Sequence, residues 1–238
     1  MNNDLHIRTE RISAWCGVVV LVGFFTALGV GHILTPLDPT KTPEQVAAFL
    51  SQHHTGILAG VVIMVLVVPF EYPFVVLISM QLRRIEGGWG LLSMIQLTTG
   101  VVAPVGFFFP MAILAAAAYR PQEHSADVLS AMNDTFWLML VGNACIFVLQ
   151  VWSIGFAALV DRRAEPVFPR WFARFNFVIA AALLPAAFAG LTKTGAFAWD
   201  GFVAFWVKNV AIALWIGVMG FVLGRGLNRD RAVAEVAA

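Results

Sequence analysis

The chain has 238 residues, of which 60% are hydrophobic and 12% charged, with a mean hydropathy of +0.82 and a net charge of +1. Soluble domains carry about a quarter charged residues, so this composition excludes a water-solvated globule. A balanced charge without a basic block also gives no reason to expect nucleic-acid binding. The apolar side chains must face lipid as well as each other, and in lipid a chain without barrel periodicity spans as helices.

In chain order, Arg8 and Arg11 precede an apolar run from Ile12 to about Leu34, the charge order of a signal sequence. The run is longer than the roughly 7–15 residues of a signal-peptide core, so it reads as a retained first helix. Six stretches reach the roughly 20 apolar residues that a crossing needs: residues 12–34, 56–82, 89–119, 135–160, 172–192 and 201–224. What remains is too short for a separate soluble domain. Residues 1–238 therefore read as one all-α membrane domain of six transmembrane helices.

Basic residues set the expected orientation. Arg8, Arg11, Arg83, Arg84, Arg162, Arg163, Arg170, Arg174, Arg225, Arg229 and Arg231 fall on one side; only Lys41, Arg120 and Lys193 fall in the opposite loops. By the positive-inside rule both termini are expected in the cytoplasm. Trp15, Trp89 and Trp171 are expected as interfacial anchors on that side, with Trp137 and Trp199 on the outer one. Cys16 and Cys145 fall at different depths, which argues against a bridge.

Two outer loops carry helix-start signals. Thr42-Pro43-Glu44-Gln45 has the form of a capping box with proline in the first turn. Val46, Phe49, Leu50 and His53 follow at helical spacing, predicting a short amphipathic helix on the outer surface. A second such helix is predicted from Ser125, with Val128, Leu129 and Met132 leading into the fourth span.

The most informative motif is Pro69-Phe70-Glu71-Tyr72-Pro73 inside the second span. An intramembrane carboxyl is costly and normally faces protein or water. The two prolines lack N–H groups and release the carbonyls of Val65 and Pro69. Glu71, with Tyr72 beside it, could then meet a cation, a proton or a ligand amine, or be a protonated packing device. In the fourth span Asn143, Phe147, Gln150 and Ser153 share one face. Glu71 and Gln150 both lie about 22 Å in from the outer boundary, a match that predicts a hydrogen bond between them; interhelical amide glue is the alternative. Lys208, beside Asn209 and near Trp206 and Trp215, is expected to snorkel outward, pair with a carboxylate or hold an anion. Gln96, Thr99 and Pro104 form a milder stripe in the third span, where hydroxyls can return bonds to their own backbone. Pro110 and Pro185 predict further bends.

His32, His53, His54 and His124 gather on the outer side with Asp38, Glu123, Asp127 and Asp134. Imidazoles and carboxylates can hold zinc or copper, and His54 is also a candidate haem ligand, but the spacing matches no closed metal motif. No Gly-x-Ser-x-Gly elbow, His-Glu-x-x-His pair, phosphate loop or Cys-x-x-Cys is present. At Pro166-Val167-Phe168-Pro169-Arg170-Trp171 and Lys193-Thr194-Gly195-Ala196-Phe197-Ala198-Trp199 the chain resembles a group of uncharacterised bacterial six-helix membrane proteins. That resemblance implies the helix count and a bacterial inner membrane, and no activity or cofactor. The leading expectation is binding or carriage of a small, largely apolar molecule around Glu71, Tyr72, Gln96, Asn143, Gln150 and Lys208. The alternatives are a membrane-embedded enzyme, metal- or haem-dependent, and an accessory subunit of a larger complex. The bilayer is the expected partner, with homo-oligomerisation open.

Overall fold

A computed structural model describes the backbone of residues 3–236 and the side chains of residues 5–228. Arg229 and Arg231 of the orientation argument lie outside the described side chains. Among the described residues there are eight α-helices and no strands: α1 (Asn3–Val30), α2 (Pro43–Val67), α3 (Glu71–Glu86), α4 (Leu91–Tyr119), α5 (Ala126–Gly142), α6 (Ile146–Val160), α7 (Arg170–Leu183) and α8 (Lys208–Val236). They form six stretches long and apolar enough to cross a membrane, at Leu5–Val30, Pro43–Glu86, Leu91–Tyr119, Ala126–Val160, Arg170–Phe188 and Phe202–Asn228. The protein is a multi-pass membrane helical bundle.

Thr42 caps α2 as its sequence predicts: its hydroxyl accepts from the Gln45 N–H at 3.4 Å, and the Gln45 side chain accepts from the Thr42 N–H at 3.1 Å. The capped segment differs in being continuous with the span rather than a separate surface helix. Residues 43–86 would reach about 65 Å as a straight helix, about twice the hydrocarbon thickness, so the polar first turns extend beyond it. Ser125 likewise caps the Val128 N–H and α5 runs unbroken into its span.

Four spans are interrupted. A 3-10 turn at Val68–Phe70 separates α2 from α3, another at Asn143–Cys145 separates α5 from α6, and a third at Leu184–Phe188 ends the fifth span. The sixth opens with a π-helical segment, Phe202–Val207, before α8. Prolines explain the first and third breaks, since Pro69 and Pro185 cannot donate to the preceding turn. Pro104 and Pro110, by contrast, leave α4 unbroken.

α1 meets α2 across glycines. A Cβ added at Gly60 would lie 2.5 Å from the Ala27 carbonyl oxygen, and one at Gly56 would lie 2.7 Å from that of Val30. This is a small-xxx-small contact, in which missing side chains let backbones approach. α1 ends where the Ile33 N–H turns back to the Leu28 carbonyl, with His32 left-handed at φ 56° in a position usually given to glycine.

Tryptophans divide differently from the expectation. Trp15, Trp89 and Trp171 are exposed as anchors would be, and Arg83 lies over the Trp89 ring. Trp137 is only 1% exposed and donates to Asn133 at 3.1 Å, while Trp199 is buried and donates to the Leu37 carbonyl at 2.8 Å. Both are internal ties instead. Cys16 and Cys145 are free.

After α6 the loop is organised by Asp161. Its carboxylate accepts from Arg163 Nε and Nη2, each at 2.8 Å, and from the N–H groups of Arg163 and Val167. The Arg163 fork foremost holds its carboxyl down at about 2. The stabilisation is therefore complete above the unfolded value of about 3.9 and is lost as pH falls toward about 2. Asp161→Asn should cost about 2 kcal/mol near neutral pH and flatten that acid limb, as read by denaturant unfolding in detergent at several pH values. Gly60→Val should destabilise by about 1–3 kcal/mol through backbone overlap. Gly29→Ala, with nothing within 4 Å of the added carbon, should cost nothing in the same assay.

Candidate functional site

Glu71 opens α3 directly after the 3-10 turn. The Val65 carbonyl loses its α-helical donor because Pro69 has no N–H, as the motif predicts. The Glu71 N–H itself turns back to the carbonyls of Val68 and Pro69. The side chain is 8% exposed and lines a chamber of about 40 Å³ between the helices. Gln150 of α6 and Asn209 of α8 line the same chamber. By a yardstick of about 10–15 Å³ per water, such a space holds a small polar head or about three waters, and no ring.

Aromatic side chains make up much of its wall. Phe74 sits where Gly17 of α1 has no side chain, and meets Trp215 edge-on at 6.3 Å between ring centroids. Trp215 is fixed by donating from Nε1 to Asn176 Oδ1 at 2.9 Å, and Asn176 Nδ2 donates to the Phe172 carbonyl at 2.8 Å. Phe24, Phe107 and Phe147 follow one another across the far wall, at centroid separations of 5.3 and 6.0 Å.

Two acceptors in this apolar setting have no hydrogen-bond partner: Glu71 Oε2 and Gln150 Oε1. The Glu71–Gln150 hydrogen bond expected from depth is not formed, although the depth match does bring both residues to one chamber. Each oxygen is buried beside the chamber with no donor in reach, so the site is short of donors. A carboxyl in this position can bind a cation, take a proton or accept from a ligand head.

Other predicted site residues go elsewhere. Tyr72 is 38% exposed and points out of the bundle, because one residue turns a helix by about 100°. Asn143 begins the break between α5 and α6 and lies against Gly106 of α4, with its Nδ2 unpartnered. Gln96 is fully buried with both amide atoms unpartnered, yet outside the chamber. Thr99 returns its hydroxyl to the Ile95 carbonyl at 2.6 Å, as its position suggests.

Lys208 neither snorkels nor reaches Glu71. It is 3% exposed, and Nζ lies 3.5 Å from the Leu140 carbonyl and over the Phe205 ring. The helix gives way to a 3-10 turn after Gly142, so the Leu140 carbonyl has lost its usual donor four residues on. The Lys208 amine repairs that break.

Near the loop after α1, the His32 and His53 rings meet at a tilt with centroids 4.4 Å apart, and Phe49 meets His53 at 4.8 Å. Neither His54 nor His124 joins them by a ring contact among the described residues. Among those residues no three His, Cys, Asp or Glu side chains converge as metal ligands.

Sequence reasoning missed Asn176 and Phe24, and took Asn209 only as the neighbour of Lys208. Asn176 carried a usable signal, since a carboxamide well inside the fifth span needs a partner.

Unpartnered buried amides cost stability that an apolar side chain of like volume would restore. Gln96→Met should therefore raise stability by about 1–3 kcal/mol. Trp215→Phe, which strands Asn176 Oδ1, should lower it by a similar amount. Unfolding in detergent micelles measures both, and a destabilised Gln96→Met would mean that the amide is paired. No family model matches this chain, and no curated protein or solved structure matches it.

Proposed function

We propose that this protein binds, and carries within the membrane, a small, largely apolar molecule whose polar head lies in the chamber around Glu71. The observation that carries the reading is the pair of buried, unpartnered acceptors, Glu71 Oε2 and Gln150 Oε1, beside one mostly apolar space. An architecture selected for stability alone would have replaced or paired them, because orphaned polar atoms in a low-dielectric interior are penalised. Glu71 accepts the ligand's donor or exchanges a proton with it, Gln150 and Asn209 orient it, and the aromatic walls exclude water.

The 3-10 turn at Val68–Phe70 supports a mobile carboxyl. Backbone interruptions in spanning helices are where transporters bend, and here the interruption adjoins the binding group. The gathering of arginines at the end bearing the termini supports placing that end in the cytoplasm of a bacterial inner membrane.

Glu71→Gln should keep the insertion and monodispersity of the protein while lowering the occupancy of a bound small molecule carried through purification, or pH-dependent uptake, at least tenfold. Native mass spectrometry of wild type and variant purified from the same membranes reads the first, and proteoliposome flux reads the second. Undiminished occupancy and flux in the folded variant reject the reading.

A further inference from the structure

The chamber has a neighbour. Between α1 and the start of the sixth span lies an open cleft of about 240 Å³ with wholly apolar exposed walls, formed by Leu28, Leu34, Trp206, Val210 and Leu214 among others. Leu34, Trp206, Val210 and Leu214 are exposed on the flank of the bundle, where the bilayer is. Phe25, Asn209 and Ala213 line both the cleft and the chamber. The two spaces thus share a wall three residues wide, and Asn209 is the polar group met first on passing through it.

The chemistry of the two spaces is complementary. Inside, two acceptors lack donors; outside, nothing polar is offered. A hydroxyl head supplies one donor hydrogen and cannot satisfy both oxygens. A carboxylate or phosphate head supplies none. An amino head supplies two or three hydrogens, and as an ammonium also pairs with the carboxylate. The chamber has room for such a head and no tail, whereas a dry apolar space of about 150 Å³ already takes up benzene, so the cleft has room for an alkyl chain.

We infer that the α1–α8 cleft is a lateral portal from the bilayer, and that the occupant is a single-chain amphiphile with an amino head, its tail in the cleft and its head on Glu71 and Gln150. Phe25 and Ala213 form the threshold and Asn209 receives the head. This rests on the function proposed above and specifies its substrate class and route.

The probes are n-decylamine and n-decanoic acid, titrated onto the intact protein in detergent micelles and counted by native mass spectrometry. Wild type should bind one decylamine and at least tenfold less decanoic acid. Ala213→Phe, which fills the threshold, and Val210→Trp, which narrows the exposed rim without entering the core, should each weaken decylamine at least tenfold. Glu71→Gln should do the same. If both cleft variants bind decylamine as wild type does while Glu71→Gln loses it, the portal is overturned and the chamber reading survives. If Glu71→Gln binds as wild type does, the chamber reading itself falls. Decanoic acid bound as tightly as decylamine overturns the amino head, as does wild type that binds neither probe.

Discussion

Every polar group of the backbone must find its partner inside the protein once the chain enters hydrocarbon, and this requirement organises the breaks in the bundle. Non-helical backbone at that depth is tolerated only where protein or a polar cavity covers it. Three of the four interruptions accordingly pack together: Asn143–Cys145 against Leu184–Phe188, and the latter against Phe202–Val207. Lys208 emerges from this knot to meet the orphaned Leu140 carbonyl, and Ala196 accepts from the N–H groups of both Val203 and Ala204 at the start of the π segment. The buried Lys208 amine here is a backbone repair.

The remaining interruption, at Val68–Phe70, is resolved differently. It lies beside α1 and α4 rather than in the knot, and Val68 and Glu71 both line the chamber. At the turn between α3 and α4 the polar groups are paired: Ser79 donates to the Ser93 carbonyl, and Glu86 accepts from the Leu92 and Ser93 N–H groups at the head of α4. Glu71 and Gln150 share their unpartnered state with Gln81, Gln96 and Asn143, but they are the two of that set that line the chamber. Sequences depart from local consistency where function demands it, and at Glu71 the departure coincides with a space and a helix break.

Spans, caps and the depth of Glu71 and Gln150 were legible because each rests on composition, local chemistry or a fixed rise per residue. Rotational phase was not. A helix apolar on nearly all sides carries little periodic signal to tell its lipid face from its protein face, so Tyr72 could be grouped with Glu71, and Trp137 could be read as an anchor when it is a core residue. Lys208 was misread for a related reason: its partner is a backbone carbonyl freed by a break in another span, and no residue type announces such a carbonyl. The Gly56-Ile57-Leu58-Ala59-Gly60 run, which the sequence reading passed over, has the spacing of a close-approach motif, although only the structure shows that its partner is α1.

The seam between α1 and α8 differs in kind from the others. No loop joins the two helices, so separating them strains no turn, whereas α3 and α4 are tied by a connection of four residues, Gly87 to Gly90. The seam is pinned near its ends, by Arg11 bonding Asn228 at one and by Trp199 bonding the Leu37 carbonyl at the other. Between the pins, Gly217, Gly220 and Gly224 of α8 meet nothing within 4 Å. Parting the helices there exposes apolar side chains to a solvent as apolar as they are, and breaks no backbone hydrogen bond within either helix. In water such an opening would be opposed by hydrophobic burial; in a bilayer that opposition is absent, and only packing contacts resist it. Parting this seam would therefore open the bundle toward the chamber at the cost of packing contacts alone, whereas an approach past the knot would meet backbone tied by the hydrogen bonds of Lys208 and Ala196.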